Sequence, residues 1–270
     1  MWVYIFLLLV SNNQSPVNRV VSLVPGVTET IYALGAQDKL VGVVRPCDYP
    51  QGIELPVVGN FSFPNLERII ALSPDIVFVT GGEQRYLWQR LKELGQEIFI
   101  VDPQNLQSIY SSIRDIGNIL GKSKEADSLL LKMAEELKLL QSASGGLSSS
   151  QTRKVLIEIS DNPLVTCGLG SFLDELITLA GGINIAHHIK KPYPIVSSEF
   201  VIKANPSVII VVHEGSTPAK RLGWEEVDAV KEGRIYRDID PNLILRPGPR
   251  VIKGIKALKE RIYPDELFDR

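Results

Sequence analysis

The chain has 270 residues, 44% of them hydrophobic, enough to bury a sizeable core and to exclude an intrinsically disordered protein. Its 29 Lys and Arg against 31 Asp and Glu leave a formal charge of −2. Such a balance supplies no net attraction to nucleic acid or to an anionic membrane surface, so neither is expected as a partner.

The chain opens on MWVYIFLLLV, an apolar run too short to cross a hydrocarbon layer of about 30 Å. Polar residues Ser11 to Ser15 and then Pro16 follow it. The pattern reads as the apolar part of a secretory signal, so residues 1–15 are expected to be a signal segment and the protein to work outside the cytoplasm, in a periplasmic or equivalent space. An extra buried strand or a wrongly chosen start codon is the alternative.

Short β-branched runs then alternate with helical patterns. Strands are expected at Val20–Val24, Leu40–Val44, Ile76–Val79 and Ile98–Val101, and again at Val155–Ile159 and Val208–Val212. Fully apolar runs of this kind belong to parallel sheets covered on both faces. Between the two sets, Ala126, Leu129, Leu130, Met133, Ala134, Leu137 and Leu140 recur at i, i+3, i+4, i+7 spacing. They predict one amphipathic helix over Ser123–Gln141, with Ser123 as its N-cap and Gly145-Gly146 beyond its end. The expected fold is α/β, with two similar lobes of mostly parallel sheet bridged by one long helix. The lobes are expected at 16–120 and 144–270 and the bridge at 121–143.

An internal repeat supports two lobes. Leu66 to Val79 matches Ser198 to Val211 at an offset of 132: a helix with Glu in its first turn stops at Ser73-Pro74 or Asn205-Pro206, and a buried strand follows. Gly95 to Asp102 (GQEIFIVD) and Gly233 to Asp240 (GRIYRDID) extend the match. A cleft between repeated lobes is the natural ligand site.

Signatures of catalysis are poorly represented. Gly168-Leu169-Gly170-Ser171 completes neither G-x-S-x-G nor G-x-G-x-x-G, and no Walker A sequence occurs. The histidines are His187, His188 and His213, with no HExxH helix, and are expected in surface or cleft-rim roles rather than on a metal. Cys47 and Cys167 have no CxxC spacing and are expected to be free, partly buried thiols. Gly81-Gly82 can bring backbone N–H groups close to a ligand or simply make a turn. Aromatic residues sit beside turn signals: Tyr49 before Pro50, Phe61 and Phe63 between Gly59 and Pro64, Tyr193 between two prolines, and Phe172 after Gly170-Ser171. An aromatic ring on a proline-rich loop needs a burial partner, either local packing or a ligand face. Arg246, in a segment with Pro247 and Pro249, could donate to ligand oxygens or pair with Asp238 or Asp240.

Several segments in order resemble one family: Arg19 to Pro25 (RVVSLVP) with Thr28-Glu29, Cys47-Asp48-Tyr49-Pro50, Asn65 to Ile69 with Ser73-Pro74-Asp75, and Arg246 to Arg250 (RPGPR). The chain is similar to the helical-backbone substrate-binding proteins of ABC importers for vitamin B12, ferric siderophores and haem, most of all to the vitamin B12-binding members. The resemblance implies capture of a corrinoid between the lobes and its delivery to a permease dimer with ATPase subunits. It implies no catalysis and no resident cofactor. It also implies that Tyr49, Phe61, Phe172 and Tyr193 line the cleft with Pro25, Gly82 and Arg246 nearby, and that Glu67 and Glu199 dock on the permease. The alternatives are a ferric siderophore or haem as ligand, or an enzyme such as a chelatase on a similar two-lobed scaffold.

Overall fold

The computed structural model describes residues 16–142 and 152–264. The expected signal segment and the Gly145-Gly146 helix end lie outside the described residues. The first lobe runs β1 (Val20–Ser22), α1 (Pro25–Ala33), β2 (Leu40–Val43), α2 (Leu66–Ala71), β3 (Ile76–Val79), α3 (Arg85–Glu93), β4 (Ile98–Ile100) and α4 (Leu106–Leu120). After α5 (Ser123–Ser142) comes the second lobe: β5 (Lys154–Glu158), the small hairpin of β6 (Ser160–Asp161) and β7 (Leu164–Val165), α6 (Phe172–Leu179) and β8 (Ile183–Asn184). It continues through α7 (Ser198–Ala204), β9 (Val208–Val211), α8 (Asp228–Lys231), β10 (Ile235–Tyr236), α9 (Pro241–Leu245) and α10 (Val251–Ile262).

Each lobe holds a four-stranded sheet whose strand pairs are all parallel, ordered β2-β1-β3-β4 in the first and β8-β5-β9-β10 in the second. The orders correspond strand for strand. Burial on both faces explains why the strands read as unbroken apolar runs rather than alternating ones. Val155, Ile157, Val208 and Ile210 join the large core that also holds Val21 and Val77 of the first sheet. Leu156, Ile209 and Val211, pointing to the opposite face, pack with Trp224 and Val201.

The repeat is visible in the backbone. Among the described residues the positive-φ non-glycine residues are Ser73 and Asn205, 132 residues apart, at +45° and +48°. Each lets its helix turn sharply into Pro and a buried strand, a conformation that costs a side-chain-bearing residue energy and here recurs at the same place in both copies. A cation at the start of the first strand in chain order of each sheet, Arg19 just before β1 and Lys154 opening β5, caps the same helix end: Arg19 donates to the carbonyls of Leu72 and Ser73, and Lys154 to that of Ala204 at 3.0 Å. Only the last pair of strands departs from the expected alignment. Ile98 opposite Val77 follows Gly95 by three residues, whereas Ile235 opposite Ile209 follows Gly233 by two.

At 20 residues, α5 is about 30 Å long by helix rise. It buries Ala126, Leu130 and Met133, and a Cβ on Gly117 would lie 2.6 Å from that of Ala126, so α4 and α5 touch at their backbones. At its far end Lys259 of α10 donates to the Leu140 carbonyl. Ser123 is the first helical residue rather than the cap, because its hydroxyl turns back to donate to Asn118 Oδ1. Among the described residues no helix is long and apolar enough to cross a membrane.

Candidate functional site

Two helices begin at the junction between the lobes. Pro25 opens α1, where a missing N–H costs nothing, and Phe172 opens α6 behind Ser171, whose hydroxyl accepts from Asp174 N. Between them lies a cavity of about 480 Å³, lined by Pro25, Phe61, Phe172, Tyr193 and Arg246 together with a polar end at Thr80 and Asp102. A volume of this order suits a ligand held largely by apolar walls with a few oriented polar groups.

Loop geometry aims the aromatic side chains. Gln84, buried and bonded to Thr80 N through Oε1, donates from Nε2 to the carbonyls of Phe61 and Leu23, both at 2.9 Å. The Phe61 loop is therefore tied to the ends of β1 and β3. Gly59 sits at φ +131°, where a Cβ would lie 2.8 Å from the Phe63 carbonyl. The Tyr193 loop is held by backbone bonds from Thr166, Gly168 and Leu169 to Pro194, Pro192 and Ile189. Gly168 is obligatory for this approach, since a Cβ there would meet the Lys191 carbonyl at 2.4 Å. The Gly168-Leu169-Gly170 sequence thus serves loop packing.

Arg246 enters the cavity already paired. Its Nη1 lies 2.6 Å from Asp48 Oδ1 and 3.6 Å from Glu29 Oε1. The sequence offered Asp238 or Asp240 as partners; instead Asp238 binds Arg261 and Asp240 lies 3.8 Å from Arg250. The hydrogen bond from Arg246 holds the Asp48 carboxyl below its ordinary value. Burial, with smaller contributions from Cys167 and Asp102, raises the Tyr193 phenol, and burial pushes the Cys167 thiol up to about 12. Cys47 and Cys167 are both free and buried.

Two expected site residues lie apart from this lining. Tyr49 faces a neighbouring groove with Leu129 and Met133 of α5, its ring 3.8 Å beneath the Arg250 guanidinium. Tyr49 therefore has a local burial partner of the kind the loop aromatics require. Gly82 stands on the loop after Thr80, with open space where a Cβ would be. Thr80 and Asp102 were not singled out from sequence. The signal was the Asp ending the GQEIFIVD copy of the repeat, 3.3 Å from the Thr80 hydroxyl that donates to it.

Glu67 and Glu199 occupy matching places. Each follows the first residue of its helix, behind Asn65 and Ser197, whose side chains accept from Arg68 N at 2.8 Å and Phe200 N at 3.2 Å. Both are exposed. A Ser197 hydrogen bond lowers the Glu199 carboxyl. His187 faces Asp174 at 2.9 Å, His213 faces the buried Glu158 at 2.7 Å, and the His188 ring lies 5.9 Å from that of Phe200.

Comparison with known proteins bears on this geometry. A family model described as periplasmic binding protein matches residues 20–241. An uncharacterized ABC transporter substrate-binding lipoprotein of Bacillus subtilis is 35% identical over 255 residues, covering 92% of this chain and 80% of its own length. The vitamin B12-binding protein of Vibrio parahaemolyticus is 30% identical, with 89% and 87% covered. The periplasmic heme-binding protein of Roseiflexus sp. RS-1, in apo form, superposes with a TM-score of 0.81 at 25% identity, covering 93% of this chain and 99% of its own. With the family model spanning both sheets and most of the chain, and relatives matching it over nearly their full length, the chain belongs to the periplasmic binding protein family.

Proposed function

We propose that this protein is the extracytoplasmic substrate-binding component of an ABC importer and that it carries a corrinoid, of the vitamin B12 type, between its lobes. The observation that carries the ligand class is the state of Arg246: the guanidinium at the cavity is paired with Asp48, so that Arg246 and Arg250 are balanced by Asp48 and Glu29, and Asp102 adds a carboxylate to the lining. Such a site repels carboxylate-rich ferric chelates and suits a neutral ligand with a broad apolar face rimmed by amides.

In this reading Phe61, Phe172 and Tyr193 are the apolar walls with Pro25 beside them, Gly82 stands on the loop that follows Thr80, and Tyr49 steadies Arg250 in the neighbouring groove. Glu67 and Glu199 meet the permease dimer, one from each lobe. The reading needs no catalytic group and no resident cofactor. Calorimetric titration with cyanocobalamin, haemin and a panel of ferric siderophores tests it: saturable binding of cyanocobalamin alone is expected, and preference for haemin or a ferric siderophore overturns the ligand class.

A further inference from the structure

The lobes differ at one place where the repeat makes them correspond. In the first lobe the space between α2 and the outer edge of β2 is closed by the chain itself. A Cβ on Gly42 would lie 2.4 Å from Leu72 Cδ1 and 3.3 Å from Val58 Cγ1. Val58 N donates to the Val43 carbonyl at 2.9 Å, and Val43 N to that of Pro56 at 3.0 Å. Arg68 of α2 then reaches over this added segment to the Val57 carbonyl at 3.3 Å.

In the second lobe the counterparts at offset 132 are Ala204 for Leu72 and Phe200 for Arg68. Among the described residues no segment pairs with the outer edge of β8. The stretch that could have done so is used elsewhere, since Val165 bridges Ile195 and Val196 N donates to the Leu164 carbonyl at 3.0 Å. A small residue replacing leucine and an edge left uncovered produce an open cavity of about 520 Å³ with Ile183, Ile185, Phe200 and Ala204 as its apolar wall.

The titratable groups around that wall are Lys154, Lys203, His187 and His188, with no carboxylate among the lining residues. Lys154 is committed to the Ala204 carbonyl and His187 to Asp174. No hydrogen bond or ion pair among the described residues engages the side chains of Lys203 or His188. No residue of this lining belongs to the cavity between the lobes. We infer that the open edge of the second lobe is a separate ligand site for a small amphipathic organic anion, its apolar body against Phe200 and Ile185 and its carboxylate or sulfonate on Lys203. The apolar wall supplies the affinity and the single-sign rim selects the charge.

Calorimetric titration of the full chain with 1-naphthoate, together with amide NMR spectra, tests this. One saturable site is expected, weakened at least about tenfold by Ala204→Leu, which restores the residue that closes the first lobe. Lys203→Glu is expected to weaken it similarly, and Tyr193→Ala in the cavity between the lobes to leave it unchanged. Phe200→Ala, at a partly exposed position, tests the same wall should the leucine variant not fold. Absence of saturable binding, unchanged affinity in the folded Ala204 or Phe200 variants, or shifts confined to Phe61 and Tyr193 would overturn the assignment. Because cyanocobalamin binding is measured on the same samples, failure here is distinguishable from failure of the importer reading.

Discussion

Arg250 grips Glu29 with two parallel hydrogen bonds, Nε to Oε2 at 2.7 Å and Nη2 to Oε1 at 2.6 Å, joining residues 221 positions apart in the chain. The carboxylate is buried at 3% exposure in α1, and the guanidinium comes from the segment leading into α10. Removing one member of such a pair leaves the other charge buried without its partner. Glu29→Ala is expected to lower unfolding stability by about 3 to 5 kcal/mol, measured by urea denaturation followed by circular dichroism. A loss below about 1 kcal/mol would show the pair to be unimportant to the fold.

Phe172 and Tyr193 share the cavity but differ in burial, at 5% and 50% exposed. Phe172→Ala is expected to cost about 3 to 5 kcal/mol of stability, as for a core aromatic. Tyr193→Ala should leave the melting temperature nearly unchanged while weakening cyanocobalamin binding at least about tenfold. A strongly lowered melting temperature for the Tyr193 variant without ligand would return that ring to the core.

Asp161 accepts from Ser216 N at 2.7 Å and from its hydroxyl at 2.8 Å, which holds its pKa at about 2, below the ordinary 3.8. Because the folded-state value is depressed, the stabilisation is complete above about pH 3.8 and is lost as the pH falls through about 2. Melting curves of the wild type and of Asp161→Asn between pH 2 and 6 should therefore converge at the acid end. Parallel curves across the range would refute the linkage.

Glu67→Ala combined with Glu199→Ala is expected to leave folding and ligand affinity unaltered while abolishing most stimulation of the transporter's ATP hydrolysis in reconstituted membranes, each single change giving an intermediate loss. Favourable placement of a carboxylate at a helix start accounts for either residue alone. Full stimulation by the double variant would reduce both to that role.

Much of the architecture was legible because it rests on local rules: apolar runs for buried parallel strands, i, i+3, i+4 spacing for α5, and Ser-Pro or Asn-Pro as a stop before a strand. The repeat extended those rules to two similar lobes. Side-chain pairing was not legible. For Arg246 the sequence offered ligand oxygens or nearby Asp238 or Asp240, but its partner Asp48 is 198 residues away and reaches it because the 246–250 segment crosses onto the first lobe. Tyr49 was grouped with the cavity aromatics by its turn context, yet the stacked Arg250 comes from that same crossing. The open edge of the second lobe turns on Ala204 against Leu72, a difference that acquires meaning only once both helices are seen beside their edge strands.

The contact between Gly26 and Gly248 sets a limit on modularity. A Cβ on Gly26 would lie 2.1 Å from the Pro247 carbonyl, so the α1 start and the 246–250 segment meet backbone to backbone. Near that seam Leu106 N, at the start of α4, donates to Glu175 Oε2 of the other lobe at 2.7 Å. A duplicated half expressed alone would expose that glycine face, strand Glu29 without Arg250 and leave a helix-start amide without its acceptor. The repeat reads as a doubling, yet halving the polypeptide would cut through each of these contacts.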